Sequence, residues 1–165
     1  FNDYVKALAI DSQDNVIVGG RFTSFNGVSN NARSIAKLSK EGLLDQEFSD
    51  NLDIIPGVKT GSSGFNDYVK VLEIDEEDNI YVGGYFNSFK ESVETAYNAN
   101  GLAKLSNEGV FDQTFSDNLD VNFGIKEVTS GFNCDFIMGC AEKVSGLALD
   151  IQGNLYVSGG FYMYK

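Results

Sequence analysis

The chain has 165 residues, 24 acidic and 12 basic, with no histidine and a net charge of −12. That charge argues against nucleic acid or an anionic membrane surface as partner, and the missing imidazole excludes His-based triads and His-dependent zinc sites. A hydrophobic fraction of 42% suits a globular chain, and no apolar run of about 18 residues is present to insert in a membrane as a helix.

The first predicted strand is Val5–Asp11 (VKALAID). A polar turn, SQDN, follows, then a second strand over Asn15–Phe22 (NVIVGGRF) that is rich in β-branched residues. The pattern is that of a hairpin. Ser34–Ser39 (SIAKLS) reads as a third strand, and Leu43–Phe48 (LLDQEF) as a fourth, shorter one after the turn KEG. Apolar residues at sustained helical spacing are lacking, so helix is disfavoured. Strict alternation sends Leu8 and Ile10 to one face of the first strand and Val5, Ala7 and Ala9 to the other.

These elements then recur. FNDYVKALAIDSQDNVIVGGRFTSF from Phe1 returns 64 residues later as FNDYVKVLEIDEEDNIYVGGYFNSF, with 17 of 25 positions identical. IAKLSKEGLLDQEFSDNLD from Ile35 returns after 67 residues, so the second unit carries three more residues, in the loop before Gly101. GFN at Gly64 returns at Gly131. An insertion, CDFIMGCAEK, then displaces the third copy, which resumes at Val144 as VSGLALDIQGNLYVSGGF. The units are residues 1–64, 65–131 and a partial 132–165, with the insertion at 134–143.

A strand apolar on both faces lies between two neighbours, and small residues such as Ala7, Ala9 and Gly19-Gly20 admit a close sheet. The expected fold is all-β: β-propeller blades of four antiparallel strands, about two and a half of them. Because propellers have roughly four to eight blades, the chain is expected to be an excerpt of a longer propeller or a subunit contributing to one. Its outermost sheets would then show apolar faces.

The set V-x-x-L-x-x-D-x-x-x-N-x-x-V-G-G-x-F, A-K-L-S-x-E-G and D-x-x-F resembles the delta-60 repeat family of β-propeller domains. It is carried by Val18-Gly19-Gly20-Arg21-Phe22, Lys37–Gly42 and Asp45–Phe48, then by Val82–Phe86 and Asp112–Phe115, and by Asp150–Asn154 with Val157–Phe161. The sequence departs from the family in using Asp14-Asn15 and Asp78-Asn79 where Asp-Gly is usual, and Lys where Arg is usual. The resemblance implies no catalysis, and an extracellular, cell-surface or virion setting.

Asp11 and Asp14, with Asp75 and Asp78, form turns whose oxygens suit calcium or, alternatively, Asx-stabilised hairpins. No other cofactor is expected. Asp45 and Asp112 read as caps of local N–H groups, and Phe48 and Phe115 as plugs between units. Gly19-Gly20, Gly83-Gly84 and Gly159-Gly160 read as strand glycines, because neither a helix nor a P-loop Lys follows. Cys134 and Cys140 bracket the insertion and form either a disulfide or two free thiols. Loops that differ between units, 23–33, 87–100 and 133–143, are where contacts with a partner would fall, and Tyr97, Phe136, Ile137 and Met138 are their apolar members. Two functions fit: a non-catalytic structural or binding module contacting other blades or other subunits, or a carboxylate-based, glycosidase-like hydrolase.

Overall fold

A computed structural model describes residues 1–58, 63–90, 97–119, 132–133, 144–160 and 163–164, the pairs at 97–98, 132–133 and 163–164 by their backbone. β1 (Val5–Ile10) pairs antiparallel with β2 (Val16–Gly20). The two-residue strands β3 (Ser24–Phe25) and β4 (Val28–Ser29) form a side hairpin, and β5 (Ile35–Leu38) then pairs with the free edge of β2. The short helix α1 (Gln46–Asn51) ends the unit.

The second unit repeats this order. β6 (Val69–Ile74), β7 (Ile80–Gly84) and β10 (Leu102–Leu105) form its sheet, β8 (Ser88–Phe89) and β9 (Tyr97–Asn98) its side hairpin, and α2 (Gln113–Asn118) its helix. In the third unit β11 (Phe132–Asn133) pairs with β14 (Met163–Tyr164), and β12 (Gly146–Leu149) with β13 (Leu155–Ser158). The class is therefore all-β, built of small antiparallel sheets. The pairing of Phe132 with Tyr164 falls at the register of the Phe65–Phe89 bridge, so the insertion leaves this closing contact in place.

Two sequence expectations are corrected. Leu43–Phe48 is not a fourth strand. Leu44 makes one isolated bridge to Leu38, and the chain then turns into α1. The cause is Asp45: extended itself, it accepts the Phe48 N–H at 3.0 Å as an N-cap, which nucleates a turn rather than extending a ladder. Asp112 does the same for Phe115 at 2.9 Å. Each of the first two sheets thus has three strands.

The second correction concerns Val5. Register slips between Val5 and Ala7, and again between Val69 and Val71. The slip is a β-bulge, and its extra residue turns Val5 to the face of Leu8 and Ile10. In the second unit the counterparts Val69 and Leu72 meet the same glycine, Gly19.

The sheets stack in sequence order, with β1 and β2 against β6, and β6 and β7 against β12. Ile17, Ile35, Phe48, Val69 and Leu72 join one core across the first contact, and Leu102 and Val144 seed a second. Aromatic clusters anchor the first two units. Phe1 lies 4.2 and 5.0 Å from Phe22 and Phe25, and Phe65 repeats both spacings with Phe86 and Phe89. Phe22, Phe65, Phe86 and Phe89 are fully buried, and burying each such ring contributes about 1.5–3 kcal/mol.

Candidate functional site

The hairpin turns hold their backbone with carboxylates. Asp11 Oδ1 accepts the N–H groups of Gln13 (3.0 Å) and Asn15 (2.8 Å), and Oδ2 accepts Asn15 Nδ2 (2.9 Å). Asp75 repeats all three bonds with Glu77 and Asn79, and Asp150 with Gln152 and Asn154. Asp14 and Asp78 take left-handed backbone, φ 65° and 62°, which Asp tolerates in turns.

A cation also reaches each of the first two turns. Buried Lys37 on β5 lies 3.0 Å from Asp11 Oδ2. Lys104 on β10 lies 3.6 Å from Asp75. In the third turn the hydroxyl of Tyr156 takes this place, donating to Asp150 at 3.1 Å. Burial opposes the charge on Asp11, but the bonds from Asn15 and Lys37 outweigh it and hold the carboxyl below its ordinary range. Burial likewise opposes the charge of Lys104, yet its contacts with Tyr81 and the charges of Asp75 and Asp112 raise its pKa.

Polar bonds cross from the first sheet to the second. Ser12 donates through its N–H (2.8 Å) and its hydroxyl (2.6 Å) to Asp78. Lys37 Nζ donates to the carbonyl and side-chain oxygens of Asn107, and Asn51 Nδ2 to the Glu108 carbonyl at 2.9 Å. Apolar contact accompanies them. A Cβ on Gly19 would lie 2.5 Å from Val69 Cγ1, and one on Gly109 3.0 Å from the Phe48 ring.

Grooves open at the sheet boundaries among the described residues. One, of about 390 Å³, lies between the second and third turns and is lined by Glu73, Asp75, Glu76, Glu77, Asp150 and Ile151, among others. At the equivalent boundary between the first and second turns, Ser12 bonds to Asp78. Another, of about 240 Å³, lies where β1 and β6 begin and is lined by Tyr4, Lys6, Arg21, Tyr68 and Lys70. Tyr68 stacks on Tyr85 at 4.4 Å, and Lys6 lies 5.1 Å from the Tyr4 ring centre. The stack is thus acidic at its turn end and cationic and aromatic at the other.

The four aspartates considered for calcium do not converge. Asp11 and Asp75 bind their own turns, and Asp78 is held by Ser12. Among the described residues no group of three or more acids is placed to hold a metal ion. Cys134, Cys140, Phe136, Ile137 and Met138 lie outside the described residues. Tyr97 lies on β9, opposite Phe89. Lys37 was not singled out from the sequence. Its signal was its recurrence, with Lys104, inside an otherwise apolar strand.

No protein-family model matches this chain, and no curated protein matches it.

Proposed function

We propose that the chain is a non-catalytic structural repeat module of the β-propeller kind, its units acting as blades and its work being contact with other blades or protein subunits in a surface, fibre or virion assembly. The observation that carries this reading is that one inter-sheet contact is built twice. Gly19 faces Val69 of the next unit, and Gly83 faces Val144, the counterpart of Val69. Such nearest-neighbour repetition is the construction principle of repeat scaffolds. The motif set shared with delta-60 repeats supports it.

Three carboxylates are set as acceptors of hydrogen bonds rather than as proton donors. Hydrogen bonds to Ser106, Asn154 or neighbouring N–H groups lower the pKa of Glu108 and Asp150, as with Asp11. A glycosidase needs one acid raised so that it can donate a proton.

The acidic groove at Glu73, Asp75 and Asp150 gives the hydrolase alternative its place, and its test. The chain is assayed against a panel of aryl glycosides across acid and neutral pH. No turnover above buffer is expected. Turnover that Asp75→Asn abolishes without changing the unfolding midpoint would replace the module reading with the hydrolase one.

A further inference from the structure

We propose that the groove between the first two sheets, where β1 and β6 begin, is a binding site for a compact organic anion carrying two or more carboxylate or phosphate groups. The inference does not depend on the structural-module reading, and its failure would leave that reading standing.

The groove is built from both sheets. Tyr4, Lys6 and Arg21 line it from the first, and Tyr68 and Lys70 from the second. Backbone pairing puts Arg21 beside Tyr4, since the Arg21 N–H donates to the Tyr4 carbonyl at 2.8 Å. The equivalent bond, at 3.1 Å, sets Tyr85 beside Tyr68, where the two rings stack. Three of the chain's 12 cationic side chains thus meet in one groove, with no acid among its lining residues. Among the described residues, Lys6 and Arg21 make no ion pair with a carboxylate. Lys6 lies instead against the Tyr4 ring, whose face attracts the charge without neutralising it.

Packing does not account for these residues. FNDYVK stands unchanged at residues 1–6 and 65–70. Within it, Phe65 is buried, and Asn2 and Asn66 each accept two backbone N–H groups near β3 and β8. Asp3 and Asp67 accept the N–H groups of Tyr4 and Tyr68 at 2.7 Å. Tyr4 is 66% exposed, and Lys6 is exposed as well, so burial holds neither to its identity. The second sheet boundary makes the same point. There β6 and β7 stack on β12, with Ser145 where Lys6 and Lys70 stand and Gly160 where Arg21 and Tyr85 stand. Stacking therefore does not require the cations.

The chemistry selects the ligand. Arg21 offers a planar fork matched to carboxylate or phosphate, and the lysines offer point charges. Cations gathered this closely repel one another, and an anion of two or more charges relieves that repulsion. The groove, at about 240 Å³, is smaller than the roughly 300–1,000 Å³ of sites for drug-sized ligands, which limits the anion to a few functional groups. A long polyanion is disfavoured. Asp3 and Asp67 stand exposed directly before the tyrosines, and the chain carries −12 overall. With charge screened over about 8 Å at physiological ionic strength, a compact anion meets the groove alone, while a chain reaching past it meets the acids.

Calorimetric titration with citrate, and separately with pyrophosphate, tests this at an ionic strength held constant with sodium chloride. Saturable binding of either anion at one site is expected, weakening as salt rises. Arg21→Gln and Lys6→Gln are each expected to weaken that binding about tenfold or more, without moving the unfolding midpoint of the anion-free chain. Lys40→Gln, an exposed lysine outside the groove lining, is expected to leave binding unchanged. Failure of both anions to bind saturably overturns the site. An equal loss with Lys40→Gln also overturns it, because the chain would then be responding to net charge alone. A hexaglutamate peptide that binds more tightly than either anion would make the occupant an acidic segment of a partner protein and overturn the compact ligand.

Discussion

Gly19 and Val69 divide one small volume between two sheets: a methyl group on the glycine would sit 2.5 Å from Val69 Cγ1 and 3.3 Å from Leu72 Cδ1. The glycine sets how near the sheets can lie. The valine, held rigid at χ1 by its branching, fills what the glycine leaves.

Gly19→Ala is therefore expected to destabilise the chain by about 1–3 kcal/mol, the usual cost of overpacking. Val69→Ala is expected to cost about 2 kcal/mol through the cavity it leaves. Together they should cost less than their sum by about 1 kcal/mol or more, because each relieves the other. Urea unfolding of the four proteins measures this, and strict additivity would show that the two residues do not share the space.

The ion pair of Asp11 and Lys37 is the next test. Both side chains are buried, so removing one leaves the other charge uncompensated. Lys37→Ala is expected to cost about 3 kcal/mol or more. The longer, less buried Lys104–Asp75 pair should cost visibly less, about 1 kcal/mol. The pH dependence follows from the lowered pKa of Asp11. Its contribution is fully present above the ordinary value of 3.8 and is lost as pH falls through the lower folded value. Unfolding midpoints taken from about pH 5 to about pH 2 should fall more steeply for the natural chain than for Asp11→Asn.

How far the sequence carries the fold can be read from particular residues. The hairpins were legible, because Val16–Gly20 and its repeat announce both strand and turn. The stacking was legible in the glycines. α1 was not, since six residues span less than two turns and show no helical period. Its only sign was Asp45 three residues before Phe48, which also reads as a strand end. Val5 was placed on the wrong face because a one-residue bulge leaves no mark in the alternation. The Asx turns were legible as an alternative to calcium sites. The cationic groove of Tyr4, Lys6 and Arg21 was not, because Arg21 joins Tyr4 only once β1 and β2 are paired.

The caps predict a smaller and separable loss. Asp45→Ala and Asp112→Ala remove the acceptor for the N–H of Phe48 and Phe115. Each is expected to cost about 1 kcal/mol. Phe48→Ala should cost about 3–5 kcal/mol, since the ring is buried and lies against Gly109. Asn at either position keeps an acceptor oxygen and should restore most of the stability. Thermal unfolding of the Ala and Asn variants side by side decides this. Equal losses would mean that the carboxylate acts by charge rather than as a cap.

The last prediction uses a difference between units. Val71 is paired with Gly83 in the second sheet, and Gly146 with Ser158 in the third. A Cβ on Gly83 would meet Val71 Cγ1 at 2.6 Å, and one on Gly146 would meet Ser158 Oγ at 2.5 Å. The larger member has changed strands, and each pair keeps one bare position. Gly83→Ser should therefore cost about 1–3 kcal/mol. Adding Val71→Gly should recover only part of that, because Val144 of the next unit also lies 2.6 Å from the new Cβ. Gly146→Ala should cost less than Gly83→Ala, since a serine hydroxyl can rotate away while a valine methyl cannot. Gly146→Val with Ser158→Gly, which rebuilds the second unit's pair, should fold as well as the natural chain. Urea midpoints for these variants give the answer, and a Gly146→Val, Ser158→Gly protein weaker than Gly146→Val alone would show that the two residues do not compensate each other.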